Sequence, residues 1–318
     1  MTKTRAWLAT ASMAVLIAAC SPPSNPAGTT DPVPAETSAA ASEQTESERL
    51  YAWFAELFEA DLARSPQQQT GLGRIDDLAA YGQWDDVSDE AAEATQQRRI
   101  ERLATLRERY DYDALDRDAR VSYRVFEYLQ ETGIRQYGFR DQTYVFTQMF
   151  GPHTGMPSTL IGQHRVETVA HAEAYISRLA GIGPIFDTLI ARADARAEAG
   201  VIPPRFAFEY LLGNTRAVIS GAPFDDSDAV SPLLADFTAK VEALDVDDAI
   251  KADLISRGTA ALTETVGPAY ERLLAMFERH QDMADDRDGA WKLPRGEAYY
   301  ESQLAAFTTL PDLSPQEV

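Results

Sequence analysis

Sulfur and imidazole chemistry are scarce in this chain. Cys20 is the sole cysteine, which excludes a disulfide framework and any cysteine-built metal knot. The four histidines, His153, His164, His171 and His280, are scattered. None stands in a His-Glu-x-x-His arrangement, where two imidazoles one helical turn apart share a zinc ion. No Gly-x-Ser-x-Gly elbow and no glycine-rich phosphate loop occurs. Positive charge is short as well: 29 Lys and Arg stand against 50 Asp and Glu, a net charge of -21. Such a surface repels phosphate backbones and argues against nucleic acid as a partner. The uncharged stretch from Ala6 to Ala19 falls below the roughly 20 apolar residues that a membrane-spanning helix needs.

That stretch has another use. Lys3 and Arg5 precede it, and Leu16-Ile17-Ala18-Ala19-Cys20 closes it in a pattern resembling a bacterial lipobox, with Ile17 where leucine is commoner. An ordinary secretory signal with a chance cysteine is the competing reading. A lone thiol in an oxidising compartment has no disulfide partner, so lipidation of Cys20 is the reading we carry forward. Residues 1–19 are then a lipoprotein signal peptide. Residues 20–46 are a lipidated linker, rich in Pro, Ser, Thr and Ala and without an aromatic residue, that spaces a domain from the membrane. Residues 47–318 form the folded domain. The expected location is the cell envelope, facing the periplasm. Ser21 is not the aspartate that favours inner-membrane retention, which points to the outer membrane.

Helical periodicity dominates the folded region. Leu50, Trp53, Phe54, Leu57, Phe58 and Leu62 make a broad stripe behind a Thr45/Glu48 capping box, and Ser65-Pro66 ends it. Ile100, Leu103, Leu106 and Tyr110 form a second stripe after Ser88. Val121, Val125, Tyr128 and Leu129 form a third, running to Gly133. A long pattern from Thr168 stops at Gly200, and Val201 to Arg205 is a rigid turn. Further helices are expected over Phe206–Ile219, over Pro232–Leu244 behind Ser231, and from about Asp247 to Met283. Tyr144 to Phe146 is a weak strand candidate. Gln148 to Gln163, broken by Gly151-Pro152, Gly155 and Pro157, reads as an irregular aromatic loop. The expected fold class is all-α, a multi-helix array.

Residues that could carry chemistry are few. The histidines read as solvated or capping groups, and the paired carboxylates as solvated loops and helix starts. Asp282 to Asp288 lacks the spaced ligands, glycine and closing glutamate of a calcium loop. Near the end, Ser314, Pro315 and Glu317 occupy N-cap, N1 and N3 positions of a helix start. A strong start signal so close to Val318 leads us to expect the front part of a longer polypeptide.

Several of these motifs occur together in one bacterial family. The lipoprotein signal, Ser65-Pro66 with Thr70-Gly71-Leu72-Gly73, Ala174 to Leu179 leading to Gly200 and Pro203-Pro204, and Leu293-Pro294-Arg295-Gly296-Glu297-Ala298-Tyr299-Tyr300 before Leu313 to Glu317 resemble the domain of unknown function 885. The resemblance covers Leu50 to Val318, about the first half of the family's usual length. It implies a helical protein similar to cleft-shaped zinc metallopeptidases, with this chain one wall of the cleft. The family's His-Glu and Pro-Gly-His-His motif has no counterpart here. No catalytic residue, metal ligand or cofactor is therefore assigned within the chain, and the chain alone is expected to be inactive. Zinc is expected for the full-length protein, with a peptide as substrate. His153, Arg295, Tyr299 and Tyr300 are the candidates for the cleft wall. The other reading is a complete, non-catalytic helical lipoprotein that binds a peptide or protein partner.

Overall fold

The computed structural model describes residues 44–310 together with Ser314 and Glu317. The signal peptide, Cys20 and most of the linker lie outside the described residues. In chain order the helices are α1 (Glu46–Leu62), α2 (Pro66–Gly71), α3 (Leu78–Tyr81), α4 (Asp89–Arg109), α5 (Arg117–Tyr137), α6 (Pro152–Gly162), α7 (Val169–Glu198), α8 (Arg205–Val218), α9 (Pro232–Glu242), α10 (Asp248–Ala261), α11 (Gly267–Met283) and α12 (Gly296–Thr308). The class is all-α; no strand occurs among the described residues, only an isolated bridge between Ala222 and Val230. Tyr144 to Phe146 is not a strand. It has no neighbouring strand to pair with, and Phe146 instead buries its ring edge-on against Phe277.

Local signals start most helices. Thr45 and Glu48 close a reciprocal capping box on α1, while Ser88, Thr168 and Ser231 each accept a backbone N–H at the start of α4, α7 and α9. Gly200, at φ 84°, lets the chain leave α7 in a left-handed turn. Ser65-Pro66 does more than end α1: Ser65 caps α2, with Pro66 at its first position, where the missing N–H costs nothing.

Two apolar cores organise the array. The smaller joins α1, α4 and α5 through Leu50, Trp53, Leu106, Tyr110, Ala119 and Tyr123. The larger is built around α7, whose Tyr175, Leu179, Ile182, Phe186 and Leu189 recur at threes and fours and meet α8, α9 and α11. Alongside α7 runs one rod made of α10, a π-turn over Leu262–Val266, and α11. Glu173 pairs with Arg257, Asp187 with Arg272, and Asp194 with Arg279, at sequence separations of 84, 85 and 85. Both members of each pair advance together, so the rod and α7 are parallel. The step from 84 to 85 is the extra residue that a π-turn inserts. Gly267 N–H bonds back to Leu262 O across that turn, ahead of Pro268, which has no N–H to give.

Two expectations are corrected by packing. Gln148 to Gln163 is not irregular, because most of it is α6, with Pro157 inside the helix. An interior proline strands the carbonyl four residues earlier, here that of His153, and the buried Tyr270 hydroxyl donates to it at 2.6 Å. The stripe on α5 does not pack inward. Val121, Val125 and Leu129 are 60%, 53% and 57% exposed, while Ala119, Tyr123 and Thr132 face the interior. Nor does Gly133 stop the helix. Arg99 of α4 lies across it, where a Cβ would stand 2.7 Å from Nε.

Candidate functional site

All four histidines are buried, at 1%, 1%, 8% and 5% exposure for His153, His164, His171 and His280, rather than solvated. Four of their eight ring nitrogens have hydrogen-bond partners. His164 Nδ1 meets Arg178 at 3.1 Å and its Nε2 meets the His171 carbonyl at 3.1 Å. Burial holds the His164 ring down at about 3, so it stays neutral and accepts from the guanidinium. His171 Nδ1 accepts the Glu167 N–H at 3.3 Å, a capping contact. His280 Nε2 pairs with Asp194 at 2.7 Å, beside Arg279.

Arg178 is the hub of a buried polar cluster. Fully enclosed and without a carboxylate, it donates to Gln83 O (2.9 Å), Pro66 O (3.2 Å) and Thr70 Oγ1 (2.7 Å), with Tyr81 and Trp84 over its guanidinium. Desolvation lowers its pKa to about 10. The cluster explains why Ser65-Pro66, Thr70 and the Ala174–Leu179 segment occur together: they are one lock between α2 and α7. It has no opening for a substrate.

The open feature lies further along the same side of α7. There Thr188, Arg192, Ala195 and Arg196 floor a groove of about 770 Å³ between Ser88 to Glu90, at the start of α4, and the turn at Asp141-Gln142. Arg192 reaches Val87 O (2.7 Å) and Asp89 Oδ1 (2.8 Å), and Arg196 reaches Thr143 O (2.8 Å). Burial pulls the Arg196 pKa down, and its Nε is enclosed without a partner. The groove therefore offers two guanidinium forks, the positive end of a 21-residue helix, and the carboxylates of Asp89, Glu90 and Asp141. That arrangement suits a ligand carrying both charges. It holds no activated nucleophile, since Ser88 Oγ is engaged as the α4 cap.

Of the residues expected to wall a cleft, three stand close together behind the groove. Gln142 accepts the Arg295 N–H at 3.0 Å, and Arg295 donates to Gly138 O at 2.9 Å while stacking over Phe139. The Tyr299 ring lies 6.3 Å from that of Phe139, with its hydroxyl pushed up by burial, and Tyr300 is 47% exposed. His153 is not with them. It faces the core between Phe146 and Phe277, its ring nitrogens unpartnered and its pKa lowered to about 4, because α6 turns that side inward. Gly151, Pro152, Gly155 and Met156 of the same segment do line a smaller cavity of about 280 Å³, opposite Gln67 and Asp85. Arg192 and Arg196 were missed, although two arginines one turn apart among alanines on a predicted helix are a visible signal.

A zinc ion does not fit the residues present. Among the described residues no group of three or more His, Cys, Asp or Glu gathers as a ligand set. His280 has a single acidic partner, already shared with a guanidinium.

Residues 66–318 match the family described as "Bacterial protein of unknown function (DUF885)". The crystal structure of a candidate lipoprotein from Colwellia psychrerythraea has the same fold, with a TM-score of 0.67 at 17% identity, over 86% of this chain and 48% of that one. The chain thus spans about half the length of that protein. No curated protein matches it.

Proposed function

The chain belongs to the DUF885 family of bacterial proteins, and from that footing we propose that it is the helical N-terminal half of a lipid-anchored, peptidase-like hydrolase of the cell envelope. Cys20 carries the anchor in this reading, and the outer membrane is its destination. No helix among the described residues is long and apolar enough to cross a membrane, in keeping with attachment through a lipid.

The groove between Ser88, Gln142 and Arg196 carries the substrate side of the proposal. A peptide backbone is polar along its length and charged at its ends, and this groove presents guanidinium and carboxylate groups interspersed with the small side chains of Ala191, Ala195 and Ala199. Arg295, Tyr299 and Tyr300 extend the same wall behind Gln142. Zinc belongs to the whole protein, with ligands outside the described residues of this chain. This half binds and orients; it performs no bond cleavage.

Calorimetric titration of purified 1–318 with short peptides, next to a zinc assay and a peptidase assay of the same sample, tests the reading. Peptide binding without turnover and without stoichiometric zinc is expected. Hydrolysis by 1–318 itself, or no binding of any peptide, sinks it. A longer reading frame that continues into a His-Glu motif separates this reading from a complete, non-catalytic lipoprotein.

A further inference from the structure

Among the described residues the apolar stripe on α5 is open along its length except where α12 crosses it. There the Tyr128 hydroxyl donates to the carbonyls of Ala305 and Ala306, at 3.1 and 3.0 Å. Val121 and Val125 lie outside the crossing, over a hollow of about 540 Å³ that Tyr112, Arg117, Arg120 and Arg124 complete. The crossing helix is itself uncovered on its outer side by any described residue: Phe307 is 86% exposed and Tyr300 47%, with Leu310, just past its end, 54% exposed. Scattered apolar side chains are ordinary on a surface. Two adjoining helices that both present them are not, and such patches mark interaction sites.

We infer that this face of α5 and α12 seats the second half of the longer family fold, supplied by continuation of the same polypeptide. The inference rests on the half-protein reading above. Its support is the solved Colwellia protein, which shares the fold over 86% of this chain yet has only 48% of its own length covered. In this inference the uncovered half rests on the shared half. Arg124 already pairs with Glu127 at 2.7 Å, while Arg117 and Arg120 have no carboxylate partner among the described residues; in a chain of net charge -21 this positive remainder calls for acidic groups around the apolar patch of the occupant. A second copy of the chain would set the same arginines against each other. Ser21 to Glu43 contains no aromatic residue, and Val33 is its one large aliphatic, so the linker has nothing to fill the hollow.

Single cysteines at Val125→Cys and Phe307→Cys, in a Cys20→Ser background of the full reading frame, test this by the rate of maleimide labelling. A Tyr210→Cys variant serves as reference, because Tyr210 is 55% exposed on α8. At least about tenfold slower labelling at both test sites than at the reference is expected in the longer protein, where reaction waits on local opening. Equally fast labelling overturns the inference. Should either variant fail to fold, Leu310→Cys takes its place under the same criterion. A stop codon directly after Val318 overturns this inference and the half-protein reading together. Protected cysteines in a longer protein that cleaves no peptide sustain the inference and sink only the hydrolase reading.

Discussion

The Tyr270 hydroxyl stands 2.6 Å from the carbonyl oxygen of His153, the acceptor that Pro157 leaves without its helical donor. One side chain on α11 thereby repairs a break in α6. Burial pushes the phenol pKa well up, so it remains a donor across the accessible pH range.

Tyr270→Phe should therefore destabilise the domain by about 1–3 kcal/mol, the usual cost of a buried acceptor left unmet. Pro157→Ala restores the backbone N–H, so it should recover more stability in the Tyr270→Phe background than in the parent. Denaturant unfolding of the four proteins measures this, and strictly additive effects would refute the repair.

His153 sets an acid limit. Its folded pKa of about 4 lies below the ordinary value of 6.5, so between those values the unfolded chain binds a proton that the native state refuses. Stability from this group is complete above pH 6.5 and drains away as the pH falls toward 4. His164, held at about 3, acts in the same direction over a window reaching lower. Since the His153 ring nitrogens have no partner, His153→Leu should flatten the curve and gain about 2 kcal/mol at pH 5 relative to its effect at pH 8. Unchanged pH dependence in the variant would show that the ring titrates normally.

Deleting Thr263 should leave the register of α11 intact. The residue is exposed, so Thr263→Ala should change stability by less than about 0.5 kcal/mol. Its deletion removes the extra residue of the π-turn and leaves a continuous α-helix, in which Arg272 still meets Asp187 and Leu273, Met276 and Phe277 keep their places in the core, at a cost of about 3 kcal/mol for Pro268 inside a regular helix. A lower melting temperature with cooperative melting retained is the expected result; loss of cooperative melting in the deletion variant would refute the single-residue reading of the π-turn.

In the groove, Arg192→Ala and Arg196→Ala should each weaken peptide binding by about tenfold or more, the loss of a charge-assisted hydrogen bond. Thermal melts should move little, because both side chains are only partly buried. Affinities that stay within twofold would place the peptide elsewhere.

Where the structure depends on neighbours in sequence, it was legible. Thr45 with Glu48, Ser88, Thr168, Ser231 and Gly200 mark helix ends through contacts a few residues away, and each does what its type predicts. Pro157 misled because the group that excuses it, the Tyr270 hydroxyl, lies 117 positions beyond the His153 carbonyl it meets. Val121, Val125 and Leu129 show the periodicity of a packed face, yet periodicity names no partner, and α5 turned a different side inward. The groove failed for the same reason. Arg192 and Arg196 share a helix face, but Ser88 and Asp141 reach them only through the path of the fold.

Arg178 has one further consequence, and it concerns time. Its acceptors Gln83 O, Thr70 Oγ1 and Pro66 O lie 95, 108 and 112 positions upstream. The segments around α2 and α3 cannot close their lock until α7 has emerged, and closing so long a loop is slow compared with forming a helix. In the lipoprotein reading proposed above, that delay has a use: the segments around α2 and α3 stay unlocked while the secretion machinery still holds the chain.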